Sequence, residues 1–252
     1  MRQTLTIGHG DKARMIAALT QEGSGPPVVW LGGYKSDMRS TKAETLAAWA
    51  ERAGRAFVRF DYSGHGESGG RFENGTITHW LDDSLGVIRG LVAERSILVG
   101  SSMGAWIALL VARHLAETGG PSPAGMVLIA PAIDFTERLM WDRFTVTMKR
   151  SIQETGVLLR ESEYSEEPYP ITMGLIEDGR RHLLFDASIQ TGCPVHILQG
   201  MKDPDVPWTH AMRLVEHLPG DNVSLTLIKD GDHRLSRPED LERLIQAIEA
   251  IG

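Results

Sequence analysis

Cysteine is nearly missing from this chain, whose 252 residues include only Cys193. A lone thiol excludes a disulfide framework within the monomer and suits a reducing compartment. No apolar run approaches the ~18 residues of a membrane-spanning helix. Met1 to His9 lacks a hydrophobic signal core and an Arg/Ser-rich transit pattern, so a cytoplasmic location is expected. Positive charge is in deficit as well. Lys and Arg number 26 against 33 Asp and Glu, a formal charge of -7, which argues against nucleic acid as the main partner. Repeats, low-complexity tracts and clear linkers are also missing. The 42% hydrophobic and 23% charged residues then fit one globular domain spanning 1–252.

What is present is an alternation of apolar strand-length runs and helical patterns. Two strands, Thr4 to Gly8 and Arg14 to Leu19, are expected around a turn at His9-Gly10-Asp11. Further strands are expected at Val28 to Leu31, Ala56 to Phe60, Ile97 to Val99, Met126 to Ala130, Val195 to Gln199 and Val223 to Ile228. Helical stretches separate them, such as Ser40 to Arg52, with Ala43, Leu46, Ala47 and Ala50 on one face and Gly54 as C-cap. This rhythm predicts an α/β fold, a mostly parallel sheet of roughly eight strands covered by helices on both faces. Residues 134–192 break it, because no clear strand stands out there and connections are usually ~2–6 residues long. Met140, Phe144 and Met148 recur at helical spacing, Ile171 to Leu184 reads as a second helix, and Glu154, Glu161, Glu163, Glu166 and Glu167 cluster between them. A helical cap over the C-terminal edge of the sheet is therefore expected, with those three apolar residues as candidate substrate contacts.

The chemistry centres on Gly100-Ser101-Ser102-Met103-Gly104, a Gly-x-Ser-x-Gly sequence between a strand and an apolar helix. That context is a nucleophile elbow, a turn so tight that the serine hydroxyl is pushed outward. Ser102 is the expected nucleophile and needs a base. Of nine histidines, His233 alone follows a late strand, in Gly231-Asp232-His233. An imidazole titrating near neutrality can take the serine proton as attack occurs. His196 lies within a strand, His114, His210 and His217 fall on predicted helices as surface groups, and His65, flanked by glycines, is given a structural role. A carboxylate must orient the base. Asp203 and Asp205 share the loop after Val195 to Gln199, and Asp134 follows the strand after the elbow. Asp203 is preferred, while Asp232 is expected to shape the turn beside His233. The order Ser102, Asp203, His233 is that of an α/β-hydrolase triad. The oxyanion hole requires two backbone N–H groups. Met103 should supply one and Tyr34, in the loop opened by Gly32-Gly33, the other, with Gly33 as the alternative register.

With these residues placed, the chain resembles the α/β-hydrolase superfamily along essentially its whole length. It resembles more closely the mitochondrial palmitoyl-protein thioesterase family, also known as mycophenolic acid acyl-glucuronide esterases. The resemblance rests on Gly33-Tyr34-Lys35-Ser36-Asp37-Met38 with Lys42-Ala43, on Phe60-Asp61-Tyr62-Ser63-Gly64, and on Ile97 to Trp106. Gly200-Met201-Lys202-Asp203, Val206-Pro207-Trp208 and Asp232-His233-Arg234 complete it, and in that pattern Asp203 holds the acid position. The resemblance implies an acyl-serine intermediate, no metal or organic cofactor, and an acyl ester or thioester substrate, an acylated protein included. It departs from the family in lacking a presequence, as a bacterial-type relative would, and in having Gly32-Gly33 where the superfamily commonly has His-Gly. Other readings are a non-catalytic small-molecule-binding homologue, a serine perhydrolase and a carbon–carbon hydrolase. Dehalogenases and epoxide hydrolases would need a carboxylate at Ser102, and dienelactone hydrolases a cysteine.

Overall fold

The computed structural model describes every residue except 11–12, 93–94, 163–164, 221 and 252. Asp11 of the expected first turn and Glu163 of the acidic cluster lie outside the described residues. The strands, in chain order, are β1 (Arg2–Ile7), β2 (Arg14–Gln21), β3 (Ser24–Leu31), β4 (Arg55–Phe60), β5 (Ile97–Ser101) and β6 (Gly125–Ile129). After them come β7 (Val157–Ser162), β8 (Ser165–Thr172), β9 (Val195–Gly200) and β10 (Val223–Ile228). The helices are α1 (Thr41–Ala53), α2 (Ile77–Leu91), α3 (Met103–Glu117), α4 (Val146–Thr155), α5 (Met173–Gly179), α6 (Trp208–His217) and α7 (Pro238–Glu249).

Eight strands form one sheet in the order β1-β2-β4-β3-β5-β6-β9-β10. β2 pairs antiparallel with β1 and β4, and the pairs from β4 to β10 are all parallel. Alternate side chains of the parallel strands enter opposite layers, as the two-residue period of a strand requires. Val28 and Trp30 of β3, Ile97 and Val99 of β5, and Val127 and Ile129 of β6 pack with Leu46, Trp49, Leu244 and Ile248 of α1 and α7. Their neighbours Val29, Leu31, Leu98, Met126 and Leu128 pack on the other face with Trp80, Leu85, Trp106 and Leu110 of α2 and α3. Both faces are covered, which is why these strands read as continuous apolar runs.

The strand order reverses at β3, which has β4 on one side and β5 on the other. Loops leaving the carboxyl ends of strands diverge at such a switch point and leave a crevice between them. Leu31 pairs with Gly100, so the loop after β3 and the elbow after β5 emerge side by side. At the far edge Ile228 pairs with Gly200, which brings the loops after β9 and β10 together in the same way.

The segment between β6 and β9 corrects the helical expectation. α4 and α5 flank an antiparallel hairpin, β7 with β8, in which Leu158 pairs with Ile171 and Arg160 with Tyr169. Ile171 is therefore a strand residue, and the second helix begins at Met173. Pro168 and Pro170 lack an N–H, so this strand is confined to a small two-stranded sheet with open edges rather than the centre of a large one. Met140, Phe144 and Met148 do not share one helix either. A wide π-helical turn at Thr136–Met140 is followed by a 3-10 turn at Trp141–Arg143, and α4 starts afresh, capped by Thr145 Oγ1, which accepts the Met148 N–H at 3.2 Å. Among the described residues no helix is long and apolar enough to cross a membrane.

Candidate active site

The elbow is built by two close backbone approaches. A Cβ on Gly104 would stand 2.0 Å from the Leu31 carbonyl oxygen, and one on Gly100 would stand 2.4 Å from the Gly104 carbonyl oxygen. Only glycine permits α3 to start so close to β3 and β5. Between them Ser102 adopts φ 55° and ψ -116°, a conformation that costs a non-glycine residue on the order of 1–3 kcal/mol. Neighbouring backbone holds it there. The Ser102 N–H donates to the Ile129 carbonyl at 2.8 Å, and its carbonyl accepts from the N–H groups of Ala105 (3.0 Å) and Ala132 (3.2 Å).

The pairing of β9 with β10 carries Asp203 and His233 to the same end of the sheet. His233 Nε2 lies 3.1 Å from Ser102 Oγ, and His233 Nδ1 lies 2.8 Å from Asp203 Oδ2. The Asp203 side chain is fully buried and that of His233 nearly so. Both Asp203 oxygens are engaged. Oδ1 accepts the N–H groups of Asp205 (2.9 Å) and Val206 (2.8 Å), and Oδ2 also accepts from Gln199 Nε2 at 3.2 Å. The ring is thus held in the tautomer that keeps a proton on Nδ1 and offers the Nε2 lone pair to the hydroxyl. Asp205 comes within 4.8 Å of this pair, and the three residues are a group of metal-ligand type among the described residues. Asp134 is elsewhere. Its buried carboxylate accepts the N–H groups of Leu184 (2.8 Å) and Phe185 (3.0 Å) and ties down the chain entering β9. Asp232 accepts the Leu235 N–H at 2.9 Å within the turn after β10.

The loop after β3 lies against the elbow. A Cβ on Gly33 would reach Ser102 Cβ at 3.5 Å. The N–H of Met103 is at the first position of α3, where a helix offers no internal acceptor. Neither it nor the Tyr34 N–H meets an acceptor among the described residues. The Tyr34 ring packs edge-on against Phe72 (4.9 Å between centroids) and Tyr169 (5.7 Å), and its hydroxyl donates to the Pro170 carbonyl at 2.9 Å. One residue therefore links this loop to the β7–β8 hairpin.

Two residues brace the same loop in ways the sequence did not reveal. The N–H of Lys35, a residue with φ 56°, donates to His65 Nε2 at 3.2 Å. Burial pushes the His65 imidazole down to about 4, so it is neutral, and its Nδ1 faces the Ser63 carbonyl at 3.3 Å as donor. Asp61 accepts the Met38 N–H (2.6 Å) and the Glu67 N–H (2.7 Å). The available signal was the Gly-rich run Asp61 to Gly66 after β4, which reads as turn chemistry until the β3 loop is laid beside it. His210 also differs from expectation. It is buried, bonds the Ile133 carbonyl at 2.9 Å through Nε2, and is pushed down to about 4 by desolvation.

A cavity of about 780 Å³ opens above Ser102 and His233. Phe135, Leu139, Met140 and Tyr169 form the apolar part of the lining contributed by the segment between β6 and β9, which also adds Arg143, Arg160 and Glu161. Of the three expected substrate contacts only Met140 lines it. Phe144 is buried against Trp141 (6.2 Å between centroids), and Met148 is half-buried and packs against the core, because the irregular turns rotate them away.

The chain matches the family model described as serine aminopeptidase, S33, over residues 27–168. It is 33% identical over 229 residues to the human mitochondrial palmitoyl-protein thioesterase ABHD10, covering 90% of this chain and 73% of that protein. A crystal structure of a hydrolase of Agrobacterium vitis S4 aligns over 100% of this chain and 98% of its own, with TM-score 0.96 and 49% identity. The mouse α/β-hydrolase domain-containing protein 10 aligns over 100% and 98%, with TM-score 0.89 and 29% identity. The parallel sheet, the strained serine after β5 and these relatives lead to one assignment: the chain is a hydrolase of the α/β-hydrolase superfamily and belongs to the family of the ABHD10 thioesterases.

Proposed function

We propose that the chain hydrolyses carboxylic acyl esters or acyl thioesters through an acyl-serine intermediate, with Ser102 as nucleophile, His233 as base and Asp203 as its orienting carboxylate. The observation that carries this reading is the continuous chain of contacts from Ser102 Oγ to His233 Nε2 (3.1 Å) and from His233 Nδ1 to Asp203 Oδ2 (2.8 Å). As Ser102 Oγ attacks the acyl carbon, its proton passes to His233 Nε2, and Asp203 stabilises the imidazolium. The N–H groups of Tyr34 and Met103 receive the developing oxyanion. His233 then protonates the leaving group, and water, deprotonated by His233, releases the acid. Residues 134–192 act as the cap whose apolar wall takes the acyl chain. The cavity lies within the ~300–1,000 Å³ usual for small-molecule sites.

The thioester arm has support in the name of the relatives, palmitoyl-protein thioesterase. An acylated protein is accordingly among the substrates to test. A fluorophosphonate probe is expected to label the folded protein and to fail on Ser102→Ala. Hydrolysis of p-nitrophenyl esters and acyl thioesters should disappear in the same variant. Undiminished labelling or turnover in Ser102→Ala would overturn the assignment, and tight ligand binding with no turnover of any acyl compound would favour a binding homologue.

A further inference from the structure

The loops after β3 and β10 give the cavity lining a different chemistry from that of Phe135, Leu139 and Met140. Lys35, Arg39, Lys42 and Arg234 line the cavity from these loops and the start of α1 with Asp37 among them, while Arg143, Arg160, Glu161 and Asp205 are the other charged residues of the lining. This is a local excess of positive charge in a chain whose formal charge is -7. Arg39 is paired with Glu67 at 2.8 Å. Lys42 is held differently. Its ammonium donates to the Arg234 carbonyl and faces Ser236 Oγ at 3.3 Å, with no carboxylate in ion-pairing range among the described residues. Burial pushes it down to about 8, the neighbouring Arg234 charge acts in the same direction, and the more distant carboxylates of Asp232 and Asp240 offset this only in part. A desolvated cation beside a second cation is an arrangement that an incoming anion relieves.

The position of these groups selects which half of the substrate they meet. In acyl transfer the general acid must reach the departing atom, so the leaving group lies on the imidazole side of the serine. Lys42 bonds Arg234, the residue directly after His233, and faces Ser236, three residues after it. The acyl chain is left to the apolar wall. One carboxylate would call for one of these cations, whereas several cations around one rim match a leaving group with more than one negative charge.

We infer that the rim formed by Lys35, Arg39, Lys42 and Arg234 receives phosphate groups of the leaving thiol, so that acyl thioesters of a phosphorylated thiol of the coenzyme A class are substrates. The inference rests on the acyl-serine reading above. The Ser102 Oγ–acyl bond forms as the carbon–sulfur bond breaks. The proton taken by His233 passes to the thiolate, and water returns Ser102 and the free acid.

The test compares octanoyl-coenzyme A, octanoyl-4'-phosphopantetheine and the uncharged octanoyl-N-acetylcysteamine on the intact protein. Three of the four cations are exposed and partly screened, so the expected preference in kcat/KM for the coenzyme A thioester over the uncharged one is about tenfold. It should shrink as salt rises from 0.1 to 1 M, where the screening length falls from about 10 Å to about 3 Å. The preference should also shrink in Lys42→Gln and Lys35→Gln. Because each variant is read as a ratio of two substrates on one protein preparation, partial misfolding cancels. An intermediate value for phosphopantetheine would assign part of the recognition to the phosphate nearest the thiol. Equal turnover of all three thioesters would overturn the inference and leave the hydrolase reading intact. A salt-insensitive preference, or one unchanged in both variants, would overturn the assignment to this rim. No turnover of any thioester or ester would overturn both readings.

Discussion

Replacing Asp203 by asparagine changes one atom of the proposed triad and forces a choice on the side chain. The carboxylate accepts four hydrogen bonds, two from backbone N–H groups on Oδ1 and two, from His233 Nδ1 and Gln199 Nε2, on Oδ2. An amide accepts on one end only. If its NH2 faces His233, the ring must present Nδ1 as acceptor and carry its proton on Nε2, where it donates to Ser102 Oγ and cannot remove the hydroxyl proton. If the NH2 turns the other way, it meets the N–H groups of Asp205 and Val206, and two buried donors lose their acceptor at about 1–3 kcal/mol each. The first orientation costs less, so the main effect is on rate rather than stability. A wrong tautomer of this kind lowers kcat by about 10⁴, or ~5.5 kcal/mol of activation free energy. The assay is kcat and KM for p-nitrophenyl butyrate beside a urea melt of the same sample. Asp203→Asn should keep KM within a few-fold, lose about 10³–10⁴ in kcat and unfold near the wild-type midpoint. Asp205→Asn, which leaves the His233 bond in place, should lose less than about tenfold. A folded Asp203→Asn protein within tenfold of wild type would refute the role given to this carboxylate.

Other consequences are as direct. Gly104→Ala places a methyl 2.0 Å from the Leu31 carbonyl oxygen, so it should destabilise by about 3 kcal/mol or more and abolish soluble activity; normal melting would refute the packing account of the elbow. Tyr34→Phe removes the donor to the Pro170 carbonyl and should cost about 1–1.5 kcal/mol, read as a lower Tm with a raised KM; an unchanged melt and KM would show that the link to the hairpin carries no load. His65 and His210 are held neutral at about 4 against 6.5. Depressed folded values mean that the unfolded chain binds the proton first, so this stability is complete above pH 6.5 and is lost as pH falls toward 4. Each histidine should account for about 2 kcal/mol of loss between pH 7.5 and 5, and His210→Gln should flatten that slope in urea titrations. An identical slope in the variant would remove His210 from the explanation.

The elements most legible in the sequence were those with a local cause. Gly100 and Gly104 declare the elbow because the steric demand falls on the two residues that carry it. The apolar runs of β3, β5, β6 and β9 announce a sheet buried on both faces because each residue needs cover on its own side. Placing Asp203 and His233 just after strands followed from the same logic. The β7–β8 hairpin is not legible in the sequence because Pro168 and Pro170 and the charged residues around them mask its alternation. Met140, Phe144 and Met148 do not share one face because a π turn and a 3-10 turn replace the regular 3.6-residue period between them. Glu161, counted with the acidic cluster, instead lines the cavity beside Arg160.

By itself the sequence determined the sheet, the order of the three triad candidates and the strained serine, all consequences of side-chain period and backbone sterics acting over a few residues. Only the tertiary structure decided which carboxylate meets His233, that His65 and Asp61 hold the loop after β3, and that the cavity has an apolar wall and a cationic rim. Those facts depend on the register of β9 against β10 and of β3 against β4 and β5. A hydrogen bond needs its partners within about 3 Å, and residues 23 or more positions apart reach that distance only when the pairing of the strands beneath them is set.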